Sequence, residues 1–320
     1  MERARDIAKN LTTPQEPQKT GFVITKRQTK KAEVIQAVRI ERDFRTQELG
    51  YAFKPLVVTS FPTKRPPKGE LLYERRNGQW KLQLAAHPKY GLPWGQDRLI
   101  PIWLATKAKI TDSPEIRFDN ASEILRLFGL QDDGRTYNRI HDAFLRVFFT
   151  SMYWGTEEQH KRAKATYVDR LTIIDKMTLW RLKPGQQQLP GDDFENKIVL
   201  NPRWFKEIKD HPIPCVLKVV RELSNSPAAL DFYMWVMYRC KTVKDFTAVP
   251  LFGPQGLKGQ LGVEGYAQKF HFRMVVKRWI DETRQYWPEC PARVSRDGDH
   301  LELEHRLGIV PRQASLVYEQ

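Results

Sequence analysis

Basic side chains follow one stripe on each of two segments with helical spacing, residues 135–149 and 266–286. The stripes are made of Arg135, Asn138, Arg139 and Arg146 in the first segment, and of Lys269, Arg273, Lys277 and Arg284 in the second. Lysine and arginine attract phosphate groups by charge, and the arginine fork also matches the two acceptors on a guanine edge. The two stripes therefore predict two contacts with DNA.

The sequence around each basic segment indicates how it is positioned. Each segment carries an apolar stripe, which includes Phe144 in the first and Trp279 in the second. A short apolar helix ended by glycine precedes each segment, and strand-like sequence follows it. A helix with one buried and one basic side, between a helix–turn and a hairpin, can lie in the major groove. The predicted fold class is α+β, with two tandem winged helix-turn-helix domains and a short N-terminal arm.

The two helices are expected to differ in role. In the second helix, Arg273 is the predicted base contact, because arginine favours a guanine edge. In the first helix, Asp142 shares the basic stripe and can pair with Arg139 or Arg146 across one turn. Contact with phosphates is therefore favoured there, and a dimer surface is the alternative. For the second segment the other interpretation is a solvated amphipathic helix.

A dense basic cluster lies between two strand-like runs after the first helix. It occupies EEQHKRAKA, residues 157–165, and contains Lys161, Arg162 and Lys164. This position predicts the wing of the first domain, in contact with the DNA backbone. A flexible charged loop is the alternative, and it would also add affinity electrostatically.

Composition limits the class of protein. The chain has 320 residues and a formal net charge of +15, which suggests a polyanionic partner, nucleic acid first and an anionic membrane second. It contains neither an apolar run long enough to span a membrane nor an N-terminal hydrophobic signal core. The cysteines Cys215, Cys240 and Cys290 show no paired spacing and favour reduced thiols. We expect a cytoplasmic protein without a membrane partner.

Changes in pattern along the chain predict its organisation. Residues 1–50 form a basic arm, 51–184 the first winged-helix domain (phosphate contacts or dimerisation), 185–311 the second (base reading), and 312–320 a tail. The predicted linker is KPGQQQLPGDD, residues 183–193, because it is rich in proline and glycine.

Shorter signals predict local structure. Asn77-Gly78 and Asp297-Gly298 are pairs typical of tight hairpin turns. The segment FKPLVVTSFP, from Phe53, predicts a strand. Six tryptophans in apolar periodic stretches are expected in the core: Trp103, Trp180, Trp204, Trp235, Trp279 and Trp287.

Residues for catalysis are not evident. Tyr137 and Tyr153 could act as nicking nucleophiles, but the sequence lacks the closely spaced histidine pair that metal-assisted attack on phosphate requires. It also lacks a glycine-rich phosphate loop ending in Lys-Ser or Lys-Thr. We therefore predict no catalytic, metal-binding or cofactor-binding residues.

Several segments resemble the plasmid-encoded RepA replication-initiator family, in order and spacing over about residues 50–311. They are GLPWGQDRLIPIWLATKA (91–108), SEILRLFGL (122–130), SPAALDFYMWVMYR (226–239), LFGPQGLKGQLG (251–262) and RVSRDGDHLEL (293–303). One departure is Trp94, where the family pattern has tyrosine. The resemblance implies tandem winged helices that bind double-stranded DNA at directly repeated origin sites and near the protein's own promoter. It also implies a monomer–dimer switch and recruitment of host replication proteins, for which the initiator DnaA and the replicative helicase are candidates.

Two rival functions remain open. The first is a transcriptional repressor of the same fold, which binds one operator and never opens DNA. The second is a metal-dependent DNA-nicking enzyme.

Overall fold

The computed structural model of this chain describes residues 49–78, 80–160, 163–179, 195–253, 256–263, 265–266 and 268–305. The described strands are, in chain order, β1 Leu49–Ala52, β2 Leu72–Asn77, β3 Trp80–Ala86, β4 Glu115–Phe118, β5 Thr150–His160, β6 Ala163–Leu171, β7 Ile174–Thr178, β8 Asn196–Leu200, β9 Ile213–Val216, β10 Phe246–Pro250, β11 Arg293–Val294 and β12 His300–Glu304. The described α-helices are α1 Lys54–Val58, α2 Leu99–Thr111, α3 Ser122–Leu127, α4 Gly134–Phe148, α5 Pro202–Asp210, α6 Leu217–Leu223, α7 Pro227–Thr242, α8 Leu257–Gln260 and α9 Lys269–Tyr286. A 3-10 turn, Gly95–Arg98, precedes α2.

One order of elements occurs twice along the chain: helix, strand, two helices, two strands. We call α2, β4, α3, α4, β7 and β8 the first module, and α7, β10, α8, α9, β11 and β12 the second module. In both, the first strand pairs with the third and the third with the second, in the orders β4-β8-β7 and β10-β12-β11. This order is compatible with the predicted winged helix-turn-helix domains, which stay a prediction. The predicted α+β class is confirmed, and the two basic segments form the third helix of their modules, α4 and α9.

The hairpin β5–β6 is an insertion between α4 and β7. It pairs with β3 and extends a separate four-stranded sheet in the order β2-β3-β5-β6. The two strands predicted around the charged tip 157–165 are confirmed, but they belong to this sheet and not to that of the first module. The role of the tip as a wing in contact with DNA stays a prediction. Lys164 lies on β6, opposite Gln159, while Lys161 and Arg162 lie outside the described residues.

The hairpin of the first module is formed by β7 and β8. Their register joins Met177 to Ile198, so the intervening residues connect two strands of one sheet. The domain boundary predicted between residues 184 and 185 falls inside this hairpin, and the predicted linker 183–193 lies outside the described residues.

The N-terminal part of the described chain is built into the fold. Residues 1–48 lie outside the description, as does the tail 312–320, but β1 pairs antiparallel with β9, from the far half of the sequence. The strand predicted from Phe53 is instead the short helix α1. Its Pro55 lies in the first turn, where a missing N–H costs no helical hydrogen bond.

Each module has an aromatic contact at the same place in its core. Trp103 of α2 meets Phe144 of α4 edge-on at 5.8 Å between ring centroids, and Phe232 of α7 lies 5.7 Å from Trp279 of α9. In both cases the first helix holds the third. The predicted core tryptophans are confirmed as buried at Trp103, Trp204, Trp235, Trp279 and Trp287, whereas Trp180 lies outside the described residues.

A buried group of charges joins the modules. Arg98, before α2, donates to Asp231 of α7 at 3.2 Å and to the Phe61 carbonyl at 2.9 Å. Arg75 of β2 donates to the Gln260 carbonyl of α8 at 2.8 Å. Removing one partner would leave an uncompensated charge in the interior, so these contacts fix how the modules lie against each other.

Candidate nucleic-acid interface

The solvent-exposed face of α9 is rotated away from the predicted basic stripe. The buried side consists of Phe272, Val276, Trp279, Ile280, Thr283 and Tyr286, and the exposed side of Phe270, His271, Met274, Lys277, Arg278 and Asp281. Of the four predicted residues, Lys269 and Lys277 are exposed, whereas Arg273 and Arg284 lie half-buried at the border. The helical pattern predicted the buried side of α9 correctly. The predicted basic stripe, however, runs along the border between the buried and exposed sides.

Arg273 holds the turn of the second hairpin. Its Nε donates to the Gly298 carbonyl at 2.7 Å, and its Nη2 donates to Asp299 Oδ1 at 2.7 Å. Gly298 has φ +74°, and a Cβ there would lie 2.9 Å from Arg273 Nε, so the turn is shaped to the guanidinium. The predicted base contact therefore has an intramolecular role in this structure.

The other edge residues of α9 also contact the protein. Arg284 donates to the Ala292 carbonyl at 2.9 Å, just before β11, and so supports the same hairpin. Lys269 places its ammonium 5.2 Å from the centre of the Phe252 ring while its side chain stays exposed. Lys277 is the predicted residue best placed to meet a ligand. Its neighbour Arg278, which was not predicted, is 62% exposed and lies 3.9 Å from Glu282 Oε1.

In α4, the predicted stripe divides into an exposed part and a structural part. Arg135, Asn138 and Arg139 are exposed on the first turns of the helix. Arg146 instead forms a two-pronged pair with the buried Asp97, with distances of 2.6 and 2.9 Å. The alternative in which Asp142 pairs with Arg146 is not what the structure shows. Arg146 therefore fixes α4 to the turn that begins α2.

Acidic groups weaken the positive charge at the start of α4. The Asp133 side chain caps the helix by accepting from the Thr136 backbone N–H at 2.7 Å, and this bond lowers the pKa of Asp133 below its usual value. Asp132 is exposed beside it, and Asp142 is exposed two turns further along the helix. In α9 the acidic residues Asp281 and Glu282 come later, and Glu282 Oε1 lies 3.9 Å from Arg278 Nε. The first three turns of α9 therefore present their cations without an acidic side chain in the helix.

A basic loop that was not predicted from the sequence lies beside the second module. Lys64, Arg65 and Lys68 are exposed in the loop between α1 and β2, and Lys64 Nζ lies 3.6 Å from the position of a Cβ on Gly265. This loop and the turn before α9 line the same cleft. The run TKRPPKG could have been noticed as a cationic segment, but its neighbour lies about 200 residues further along the chain.

The loop is held in place by the charges that join the modules. Arg98 donates to the carbonyls of Phe61 and Pro62, and the Gly95 N–H donates to Pro62 at 2.9 Å. Pro66 and Pro67 limit its backbone further. Hydrogen bonds therefore hold the start of the loop, and Lys64 lies beside the turn that precedes α9.

Other groups that could carry chemistry are buried or dispersed. Burial raises the pKa of the Cys215 and Cys240 thiols to about 12 and that of Cys290 to about 11, so these thiols stay protonated. Within the described ranges, histidine, cysteine and acidic side chains form no group of three able to hold a metal ion. No helix that the structure describes combines the length and apolarity needed to cross a membrane.

Residues 106–248 match a family of proteins described as plasmid encoded RepA protein. The matched range runs from within α2 into β10 and covers a little less than half of the chain. The resemblance predicted from the sequence is thus confirmed across the first module and α5 to α7. Helix α9 and the second hairpin lie beyond the matched range.

The chain is also similar to two crystal structures of RctB. For selenomethionine derivatives of domain 2 and domain 3, the TM-score is 0.47 at 14% identity, over 69% of this chain and 80% of that chain. For RctB domains 2-3, the TM-score is 0.47 at 12% identity, over 78% and 94%. No curated protein sequence matches the chain.

Proposed function

We propose that this chain is a plasmid replication initiator that binds directly repeated origin sites through both modules and promotes opening of the adjacent DNA. The match of residues 106–248 to plasmid-encoded RepA proteins supports a role in replication initiation. The observation that carries DNA binding is the repeated module, in which the third helix exposes cations twice: Arg135 and Arg139 on α4, Lys277 and Arg278 on α9. The formal charge of +15 agrees with a polyanionic partner.

The two modules have different roles in binding DNA. Helix α9 reads bases, because its N-terminal turns are exposed and free of acidic side chains, and such turns contact base edges in helix-turn-helix proteins. The loop that carries Lys64, Arg65 and Lys68 binds phosphates beside it. Helix α4, whose positive charge is offset by Asp133 and Asp142, supplies phosphate contacts or a dimer surface.

Opening of the origin draws its energy from binding and supercoiling, in a non-catalytic role in the cytoplasm. The chain also binds near its own promoter and recruits host replication proteins, with the initiator DnaA and the replicative helicase as candidates. These partners follow from the family resemblance.

A replication assay in cells tests the proposal. The DNA flanking the gene is placed on a circle that cannot replicate in the host, and the protein is supplied from a second plasmid. We expect the circle to be maintained with the wild-type protein and lost with the double variant Lys277→Ala, Arg278→Ala. Ile110→Ala, an exposed substitution at the end of α2, is the matched control and should maintain the circle.

The two rival functions give different results. A repressor protects one operator and never maintains the circle. A nicking enzyme converts supercoiled DNA to open circles with magnesium or manganese, and a covalent tyrosine–DNA adduct would contradict the proposal.

A further inference from the structure

Two large apolar side chains lie on the exposed face of α9. Phe270 is 63% exposed and Met274 is 52% exposed. They are four residues apart in the first two turns, so they lie on the same side of the helix. Neither contributes to the core, which α9 meets through Phe272 and Val276.

The surroundings of this pair favour a nucleic-acid partner. Lys277 and Arg278 follow on the next turn, and Lys269 and His271 lie in the same first turn. A binding surface for another protein's apolar patch is normally depleted in charge at its centre. An apolar pair bordered by cations instead fits a groove that has phosphates on both sides and an apolar group on its floor.

In double-stranded DNA that apolar group is the C5-methyl of thymine, which projects into the major groove. Side chains at positions i and i+4 are about 6 Å apart along a helix axis. Successive bases on one strand rise by about 3.4 Å. The pair can therefore meet methyl groups about two base steps apart.

We propose that Phe270 and Met274 recognise thymine methyl groups in the major groove and set the base preference of the second module. This inference rests on the proposed function, since it requires α9 to enter the groove. It names the chemical feature that is recognised, which cations alone would not supply.

Deoxyuridine substitution tests the inference directly, because uracil differs from thymine only by the missing methyl group. The protected site is first located by footprinting on thymine-containing DNA with excess random competitor. Each thymine in the part of the site covered by the second module is then replaced in turn by deoxyuridine. We expect the wild-type protein to lose about fourfold in affinity at one or two positions, as removal of one buried methyl-sized group predicts.

The variants Phe270→Ala and Met274→Ala assign the side chains. Each should bind the thymine site more weakly and lose the distinction between thymine and uracil at its own position. Ile110→Ala, which removes an apolar side chain that is 68% exposed on α2, should discriminate like the wild type. Because both α9 side chains are exposed, the variants should keep the wild-type circular dichroism and unfolding midpoint.

The outcomes separate the inference from the proposed function. Equal affinity of the wild-type protein for thymine and uracil sites would overturn the inference. A protected site in the footprint would still support the proposed sequence-specific binding of DNA. If the Phe270→Ala, Met274→Ala double variant still distinguished thymine from uracil sites as the wild type does, the inference would also be overturned. That result is the one expected if the pair binds another protein instead of DNA. A chain that protects no site on thymine DNA would contradict the proposed function itself.

Discussion

Individual cations on the two third helices serve different purposes, and their hydrogen bonds distinguish them. Arg273 binds the Gly298 carbonyl and Asp299, and Arg146 binds Asp97, so both position elements of the fold. Lys277 and Arg135 point to solvent. A substitution should therefore affect folding in the first pair and DNA affinity in the second.

Arg273→Ala should lower the free energy of unfolding by about 1 kcal/mol, since it removes charge-assisted hydrogen bonds from a side chain that is partly exposed. Overall DNA affinity should fall because the hairpin turn loses its anchor, but the preferred base at every position should remain. Selection of bound sequences from a random library measures this preference. Loss of base preference at one position of the selected sequences, with the free energy of unfolding unchanged, would show that Arg273 contacts a base.

Arg146→Ala should lower the free energy of unfolding by about 3 kcal/mol, because it leaves the Asp97 carboxylate buried without its partner. Arg135→Ala, on the exposed face of the same helix, should change stability by less than about 0.5 kcal/mol. Urea unfolding of both variants compares them. Equal stability of the two would show that the Arg146–Asp97 pair does not hold α4.

Helical periodicity predicted which side of α9 is buried. It did not predict which cations are hydrogen-bonded to other parts of the protein. The partners of Arg273 lie at Gly298 and Asp299, in a turn whose approach depends on tertiary structure. The same limit applies to Arg146, whose partner Asp97 precedes a different helix. Sequence spacing describes contacts along one helix and carries no information on contacts between distant elements.

At the scale of elements, α9 is one part of a wider surface. The loop that carries Lys64, Arg65 and Lys68 lies beside the turn before α9 and is fixed by Arg98. Backbone contacts from such a loop would hold the helix in register over the bases. The proposed interface of the second module thus draws residues from both halves of the sequence.

Lys64→Ala, Arg65→Ala and Lys68→Ala should each weaken binding to specific and random DNA alike. The slope of log affinity against log salt should become shallower by about 0.9 for each phosphate that the variant no longer neutralises. Lys206→Ala on α5, which is 78% exposed and paired with Asp210, is the matched control and should leave the slope unchanged. A triple loop variant with the wild-type slope would place this loop outside the interface.

The sequence predicted the elements of both modules better than their pairing. Hairpins are confirmed at both predicted places, and Gly78 and Gly298 take positive φ there. The type I′ position predicted for Asn77 is wrong, since Asn77 still pairs with Trp80 in the strand. The wing of the first module was assigned to residues 157–165, because two adjacent strands satisfy the same local pattern whichever sheet they join. Pairing of β5 with β3, over about 70 residues, decides the sheet and leaves no local signal.

For the whole molecule, the consequence is that non-covalent contacts hold the modules together in addition to the polypeptide that connects them. The strand pair β1–β9 and the buried contacts of Arg75, Arg98 and Asp231 all cross between the two halves of the chain. A flexible linker would let each module find its groove separately. This arrangement instead sets one distance between α4 and α9.

Insertion of base pairs between the two parts of a bound site should therefore reduce affinity sharply. Five added base pairs turn the second part to the opposite face of the helix, and ten restore the face but move it by about 34 Å. We expect both insertions to reduce affinity to that of a single module, measured by titration at fixed salt. Tolerance of both would indicate modules that move independently.

Hydroxyl-radical footprinting on the DNA that flanks this chain's gene, with excess random competitor at physiological salt, tests whether the chain binds repeated sites specifically. We predict regularly spaced protected repeats, each with two protected patches on one face of the duplex. The double variant Lys277→Ala, Arg278→Ala should lose this protection, and the control variant Ile110→Ala should keep it. A single protected operator would favour a repressor. Protection no greater than on random DNA would contradict the account of a site-specific initiator.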